Sequence, residues 1–104
     1  MEVQYFDSGL EKLIRSLQES TIAKVVRMVE LLEEFGSTLG MPQSKSVARH
    51  LFELRIRGQQ EVRIFYTFHN GRAVLLHGFI KKSERIPGRE LNTAKQKLAA
   101  LDRA

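Results

Sequence analysis

Apolar positions recur along this chain in two different rhythms. Near the start, Leu10, Leu13, Ile14 and Leu17 come at helical spacing, as do Ile22, Val25, Val26, Val29, Leu32 and Phe35. Each set draws one apolar stripe on a helix of 3.6 residues per turn. Ser8-Gly9-Leu10-Glu11 has the form of a capping box, so the first helix is expected to open there. Ser20 or Thr21 is expected to cap the second, and Gly36 stands where a C′ glycine would end it. Two such helices joined by few residues form a helical hairpin, whose stripes must lie on something apolar.

The rhythm of two supplies it. Val3-Gln4-Tyr5-Phe6 reads as a short opening strand. After a loop over 37–47 come three strand-like runs, at 50–57, 61–69 and 72–82. In the first, Phe52, Leu54 and Ile56 alternate with Leu51, Glu53, Arg55 and Arg57. Asn70-Gly71 joins the other two and is a strong hairpin signal, because a type I′ turn needs positive φ at both central residues. Pro87 opens a closing helix with Leu91, Ala94, Leu98 and Leu101 on one side and Lys95 and Lys97 on another. The predicted order is β-α-α-β-β-β-α, an α+β fold.

A two-residue turn at Asn70-Gly71 sets His69 opposite Arg72 and fixes which residues share a face. One face then holds Val62, Ile64, Tyr66, Phe68, Leu75, His77, Phe79 and Lys81. Its aromatic bulk suits packing against the helical hairpin. The other holds Arg63, Phe65, Thr67, Val74, Leu76, Gly78, Ile80 and Lys82. In this register Arg63 lies opposite Gly78, with Lys82 further along, as the floor of a basic cleft.

Composition narrows the chemistry. With 104 residues, the chain is expected to form a single domain spanning 1–104. It has no cysteine, which excludes disulfides, thiolate zinc sites and a cysteine nucleophile. His50, His69 and His77 are scattered without metal-ligand spacing, so no metal and no other cofactor is expected. No apolar run approaches the length of a membrane helix and no leader opens the chain, so a cytoplasmic protein without a membrane partner is expected. The formal net charge is +5. Residues 1–52 carry six basic and seven acidic side chains, a net of −1, whereas residues 53–104 carry eleven and five, a net of +6. That asymmetry fits a polyanion-binding surface.

No phosphate-binding glycine loop, zinc-protease helix or nucleophile elbow is present. What remains is a cationic set, Arg55, Arg57, Arg63, Lys81, Lys82 and Arg85, with Tyr66 and His77 nearby. One reading is phosphate binding on RNA, which brings its own nucleophile in the 2′-OH. A protein then needs only to orient it, neutralise developing charge and move protons. The other reading is structural. Arg63 could pair with Glu53 or Glu61, Arg55 and Arg57 could guard an edge strand, and Lys81-Lys82 could simply end one. Tyr66 and His77 could be core residues.

Leu54-Arg55-Ile56, Val62-Arg63-Ile64-Phe65-Tyr66 and Leu75-Leu76-His77-Gly78-Phe79-Ile80-Lys81-Lys82, in that order, resemble the phage-derived branch of HigB/RelE-type toxins. The resemblance continues through Arg85-Ile86-Pro87 into the closing helix with Glu90 and Ala94. It implies a RelE-like fold, an antiparallel sheet with an N-terminal helical hairpin and a C-terminal helix. It also implies the toxin of a type II toxin–antitoxin pair, whose partners are a cognate antitoxin, the ribosome and mRNA. Such toxins are metal-independent endoribonucleases that cut mRNA on the ribosome by 2′-OH attack. By position, Arg63 matches the family's scissile-phosphate arginine, and Lys82, with Lys81 beside it, a basic residue near the leaving group. Arg55, Arg57, Arg85 and His77 would hold RNA. Leu51 and Glu53 stand where RelE toxins carry lysines, and Gly88-Arg89-Glu90 where they carry a tyrosine, so the general base does not transfer. Tyr66 or His77 is a candidate substitute. Related ParE-type toxins share the fold and inhibit DNA gyrase instead, and an inactive antitoxin-binding relative is a third option.

Overall fold

The computed structural model describes residues 1–103. Five strands form one sheet: β1 (Val3–Tyr5), β2 (Ser44–Ala48), β3 (Leu51–Ile56), β4 (Val62–His69) and β5 (Arg72–Ile80). Their spatial order is β1-β5-β4-β3-β2, antiparallel throughout except that β1 runs parallel to β5. The helices are α1 (Ser8–Arg15), α2 (Glu19–Phe35) and α3 (Gly88–Asp102), with a 3-10 turn at Gly36–Thr38 after α2. This is the expected α+β class, and it is compatible with a RelE-like fold. The loop expected over 37–47 contains a strand of its own. β2 covers β3, which is therefore an interior strand rather than an edge.

Helix starts differ from the sequence expectation by a residue or two. Asp7, not Ser8, caps α1, its carboxylate accepting from the Gly9 N–H at 3.0 Å. The α2 cap position is Gln18, ahead of Ser20 and Thr21. Its backbone N–H donates to the Gln60 side chain, and Thr21 is buried. The helix ends at Gly36 with φ of 54°, a conformation that suits glycine.

The sheet has two covered faces. α1 and α2 lie over Leu54, Ile56, Val62, Ile64, Tyr66 and Leu75, while Leu51, Phe65, Val74, Leu76 and Phe79 meet α3 at Ala94. Asn70 and Gly71 have φ of 51° and 74°, and His69 pairs with Arg72 as the turn predicts. The expected register holds only as far as Tyr66↔Leu75. A bulge between Phe65 and Tyr66 then shifts the ladder, giving Phe65↔His77, Ile64↔Gly78 and Arg63↔Phe79. One inserted residue exchanges the faces of everything beyond it. His77 and Phe79 thus move to the α3 face, and Gly78 moves beneath α1.

Gly78 lets α1 pack closely on the sheet. A Cβ at this position would lie 2.5 Å from Leu10 Cδ1 and 3.3 Å from both Leu13 Cδ2 and the Arg63 carbonyl oxygen. Gly78→Ala is expected to cost about 1–3 kcal/mol through overpacking. Urea unfolding measures this, and an unchanged midpoint would contradict the close approach of α1.

Candidate functional site

Three chain segments meet at one end of the sheet: the end of β3, the start of β4 and the end of β5. Arg55 pairs with Arg63, and Val62 with Ile80. The Lys81 N–H donates to the Glu61 carbonyl at 2.7 Å, tying the turn after β5 to the start of β4. Arg55, Arg57, Arg63, Lys81 and Lys82 are thereby gathered from strands that the sequence separates, and Arg85 follows in the same turn.

Arg55 and Arg63 face each other, and like charges directly opposite are unfavourable. Glu53, two positions before Arg55 on the same face, relieves the repulsion. Its Oε1 lies 3.5 Å from Nε of each arginine. Arg63 also donates from Nη2 to Glu61 Oε2 at 3.0 Å and from Nη1 to the Val62 carbonyl at 3.2 Å. The Arg63 and Glu53 side chains are 2% and 4% exposed. Glu53 Oε2 and Nε of both arginines are buried without hydrogen-bond partners. Buried Arg63 and partly exposed Arg55, sharing one buried carboxylate, therefore retain bonding capacity their neighbours do not use.

Around this buried cluster lies an accessible ring. Among the described residues, Arg57, Lys81, Lys82 and Arg85 have no ion-pair partner. Arg57, Lys82 and Arg85 are exposed and Lys81 is half-buried. Unpaired, hydrated cations of this kind attract a polyanion at long range, and arginine adds a planar fork for phosphate oxygens. A cavity of about 140 Å³ opens elsewhere, on the surface beside the helical hairpin, lined by Tyr5, Ile14 and three valines and two glutamates of α2. No group of three or more His, Cys, Asp or Glu among the described residues could hold a metal ion.

The sequence-derived candidates divide. The structure gathers Arg55, Arg57, Arg63, Lys81, Lys82 and Arg85 at this end. It does not place Arg63 beside Gly78, because the bulge puts Phe79 there. Nor does Lys82 share the Arg63 face by strand alternation. β5 stops at Ile80, and it is Lys81 that continues the alternation of Arg63's partner Phe79. Tyr66 is 1% exposed on the opposite side of the sheet, stacked on Phe52, with its hydroxyl 2.5 Å from Ser44 Oγ. Burial raises its phenol above the ordinary value, outweighing the Ser44 hydrogen bond, so it stays protonated and is no base for this site.

His77, moved by the bulge, meets α3. Its Nε2 lies 2.6 Å from Glu90 Oε2, and the side chains are 22% and 19% exposed. Glu90 sits in the first turn of α3, where the helix dipole favours a carboxylate. Nearby, Asp7 and Lys97 pair at 3.0 Å. Burial alone would raise the Asp7 carboxyl, but hydrogen bonds from Lys97 and Gly9 and the charges of Lys97 and His77 hold it below its ordinary value. Sequence reasoning offers Glu53 and Glu61 as partners of Arg63, and both pairs form; what escapes it are the second contact of Glu53, to Arg55, and Glu90 as the partner of His77. A carboxylate within an apolar strand was the available signal for Glu53. Nothing local signalled the Glu90 contact, which depends on the bulge.

Comparison with curated proteins gives no match. A family model described as phage-derived protein Gp49-like (DUF891) matches residues 12–99, a span from α1 to near the end of α3 that includes every residue of the basic sheet end and the His77–Glu90 contact. The chain belongs to the Gp49-like family of phage-derived proteins, a toxin-like family related to RelE and HigB.

Proposed function

We propose that this protein is the toxin of a type II toxin–antitoxin pair and acts as a ribosome-dependent, metal-independent mRNA endoribonuclease. The observation that carries this reading is the cationic sheet end, Arg55, Arg57, Lys81, Lys82 and Arg85 around buried Arg63, in a chain of a toxin-like family. Arg57, Lys81, Lys82 and Arg85, without ion-pair partners among the described residues, suit an extended polyanion better than a small ligand, which would want an enclosing pocket. Arg55, with 18% of its side chain exposed, and the outer cations contact phosphate directly. Arg63 reaches phosphate only when Glu61, with 40% of its side chain exposed, releases its Nη2. Otherwise Arg63 holds Glu53 and Arg55 in place. A cognate antitoxin masks the same basic end in the cytoplasm of the host.

Inducible expression in bacteria tests the reading. Growth is expected to arrest, with protein synthesis failing before DNA supercoiling changes. Failure of supercoiling first would instead support an inhibitor of gyrase, and unimpaired growth would leave an inactive antitoxin-binding relative.

A further inference from the structure

Arg63 is a cation that cannot stand alone where it is. Its side chain is 2% exposed, and a charge buried this deeply is costly without an anion beside it. Three groups serve it. Glu53 Oε1, at 3.5 Å, belongs to a side chain 4% exposed, and the Val62 carbonyl, accepting from Nη1 at 3.2 Å, belongs to β4 itself. Both are fixed by the strands that carry them. Glu61 differs. It stands just ahead of β4, its side chain is 40% exposed, and its carboxylate meets Arg63 Nη2 at 3.0 Å and no other cation among the described residues. Its main chain is held separately, the carbonyl accepting from the Lys81 N–H at 2.7 Å. Turning the Glu61 side chain outward therefore frees Nη2 without moving the strand. Arg55, paired with Arg63, and Lys81, bonded to the Glu61 main chain, are the neighbouring cations.

Resting on the endoribonuclease reading, we propose that the Glu61 carboxylate is the resting occupant of a phosphate subsite on Arg63, and that RNA enters this subsite by displacing it. Carboxylate and phosphate oxygens make the same kind of charge-assisted bond to a guanidinium, so one replaces the other and Arg63 is never left unpaired. The displaced carboxylate keeps its charge in the water that already reaches it. Because the subsite is open only part of the time, every phosphate binds it more weakly by the fraction open. A lone phosphate ester has nothing to offset that loss. A strand gripped by exposed Arg57, Lys82 and Arg85 does, since those contacts hold its phosphate at high effective concentration beside Nη2. The subsite thus takes an internal phosphodiester of an extended RNA and stays closed to free phosphate and mononucleotides.

The test measures binding of two probes at one salt concentration, with melting of each variant alongside. One probe is adenosine monophosphate; the other is a programmed ribosome whose mRNA carries 2′-O-methyl groups and so cannot be cut. The unmodified protein should bind the ribosome and hold the mononucleotide only weakly. Glu61→Gln should tighten both by a similar factor, about 5- to 30-fold, because a neutral amide competes less well for Nη2. A gain of this kind is not what damage to the fold produces. Glu84→Gln is the control. Glu84 is exposed between Lys82 and Arg85 and has no ion-pair partner among the described residues, so the variant removes the same charge without touching Arg63. It should change either affinity by less than about twofold. If Glu61→Gln does not fold, Glu61→Asp decides: it keeps the charge, reaches one methylene less far and should also tighten both probes. Unchanged binding in Glu61→Gln, or an equal gain in Glu84→Gln, would overturn the assignment while leaving the endoribonuclease reading intact. No ribosome binding by the unmodified protein would overturn both.

Discussion

Replacing Arg63 by alanine is expected to destabilise the fold by about 3–5 kcal/mol, because it strips a buried carboxylate of a partner. Glu53 is 3% exposed and has one oxygen already unpaired. Arg55 stays 3.5 Å from the other oxygen, which keeps the loss toward the lower end. Against a total stability of about 5–15 kcal/mol this is a large fraction, and each kcal/mol lowers the melting midpoint by about 4–8 °C in a domain of this size. From sequence, the same variant is expected to fold and merely lose growth inhibition. The burial of Arg63 changes what that experiment means, since a harmless variant would report unfolding as readily as weakened phosphate binding. A paired substitution separates the effects. Arg63→Met with Glu53→Leu removes the buried pair and should recover part of the stability, because a buried ion pair gains little over apolar groups of similar volume, while Arg55, with 18% of its side chain exposed, loses its only ion-pair partner. Urea unfolding of both chains checks this. An Arg63→Ala chain within about 0.5 kcal/mol of the unmodified protein would contradict the burial.

The second large effect concerns binding rather than folding. Lys81→Ala, Lys82→Ala and Arg85→Ala together are expected to abolish growth inhibition while leaving the melting midpoint nearly unchanged. None of the three has an ion-pair partner among the described residues, so their removal leaves no counter-charge stranded. Substitutions at such positions usually change stability by less than about 0.5 kcal/mol each. Removing one cation from a phosphate should lower the dependence of log affinity on log salt by about 0.7–1, so removing three should take about two to three from the slope. Ribosome binding measured across a salt series gives that slope directly. An equal slope in the triple variant would place the RNA elsewhere on the molecule.

These two effects fall on residues that sequence reasoning selects, but for partly different reasons. The helical stripes, the Asn70-Gly71 turn and the strand that opposes Glu53, Arg55 and Arg57 to apolar neighbours are legible because each is a local pattern. The bulge is not. β4 is apolar on both faces from Ile64 to Phe68, interrupted only by Thr67, so no change of hydrophobic phase marks where the register slips. A turn fixes pairing only as far as the first irregularity, and the slip comes four pairs away from it. Arg63 opposite Gly78 is therefore a consequence of sound alternation carried past the point where it holds. β2 is hidden for another reason. Ser44-Lys45-Ser46 has little strand propensity, and β3 recruits it by pairing. Tyr66 illustrates a third limit: the sequence sets it in the apolar row under the helical hairpin, where it lies, but only the Ser44 partner of its hydroxyl decides between its core and chemical readings.

Cutting of mRNA on the translating ribosome would leave a signature at the message itself. Mapping mRNA 5′ ends after induction, with and without translation, reads that signature. New ends in register with the reading frame are predicted, and they should vanish when ribosomes are kept off the message. Growth arrest with no new 5′ ends would contradict a ribonuclease role for the basic sheet end.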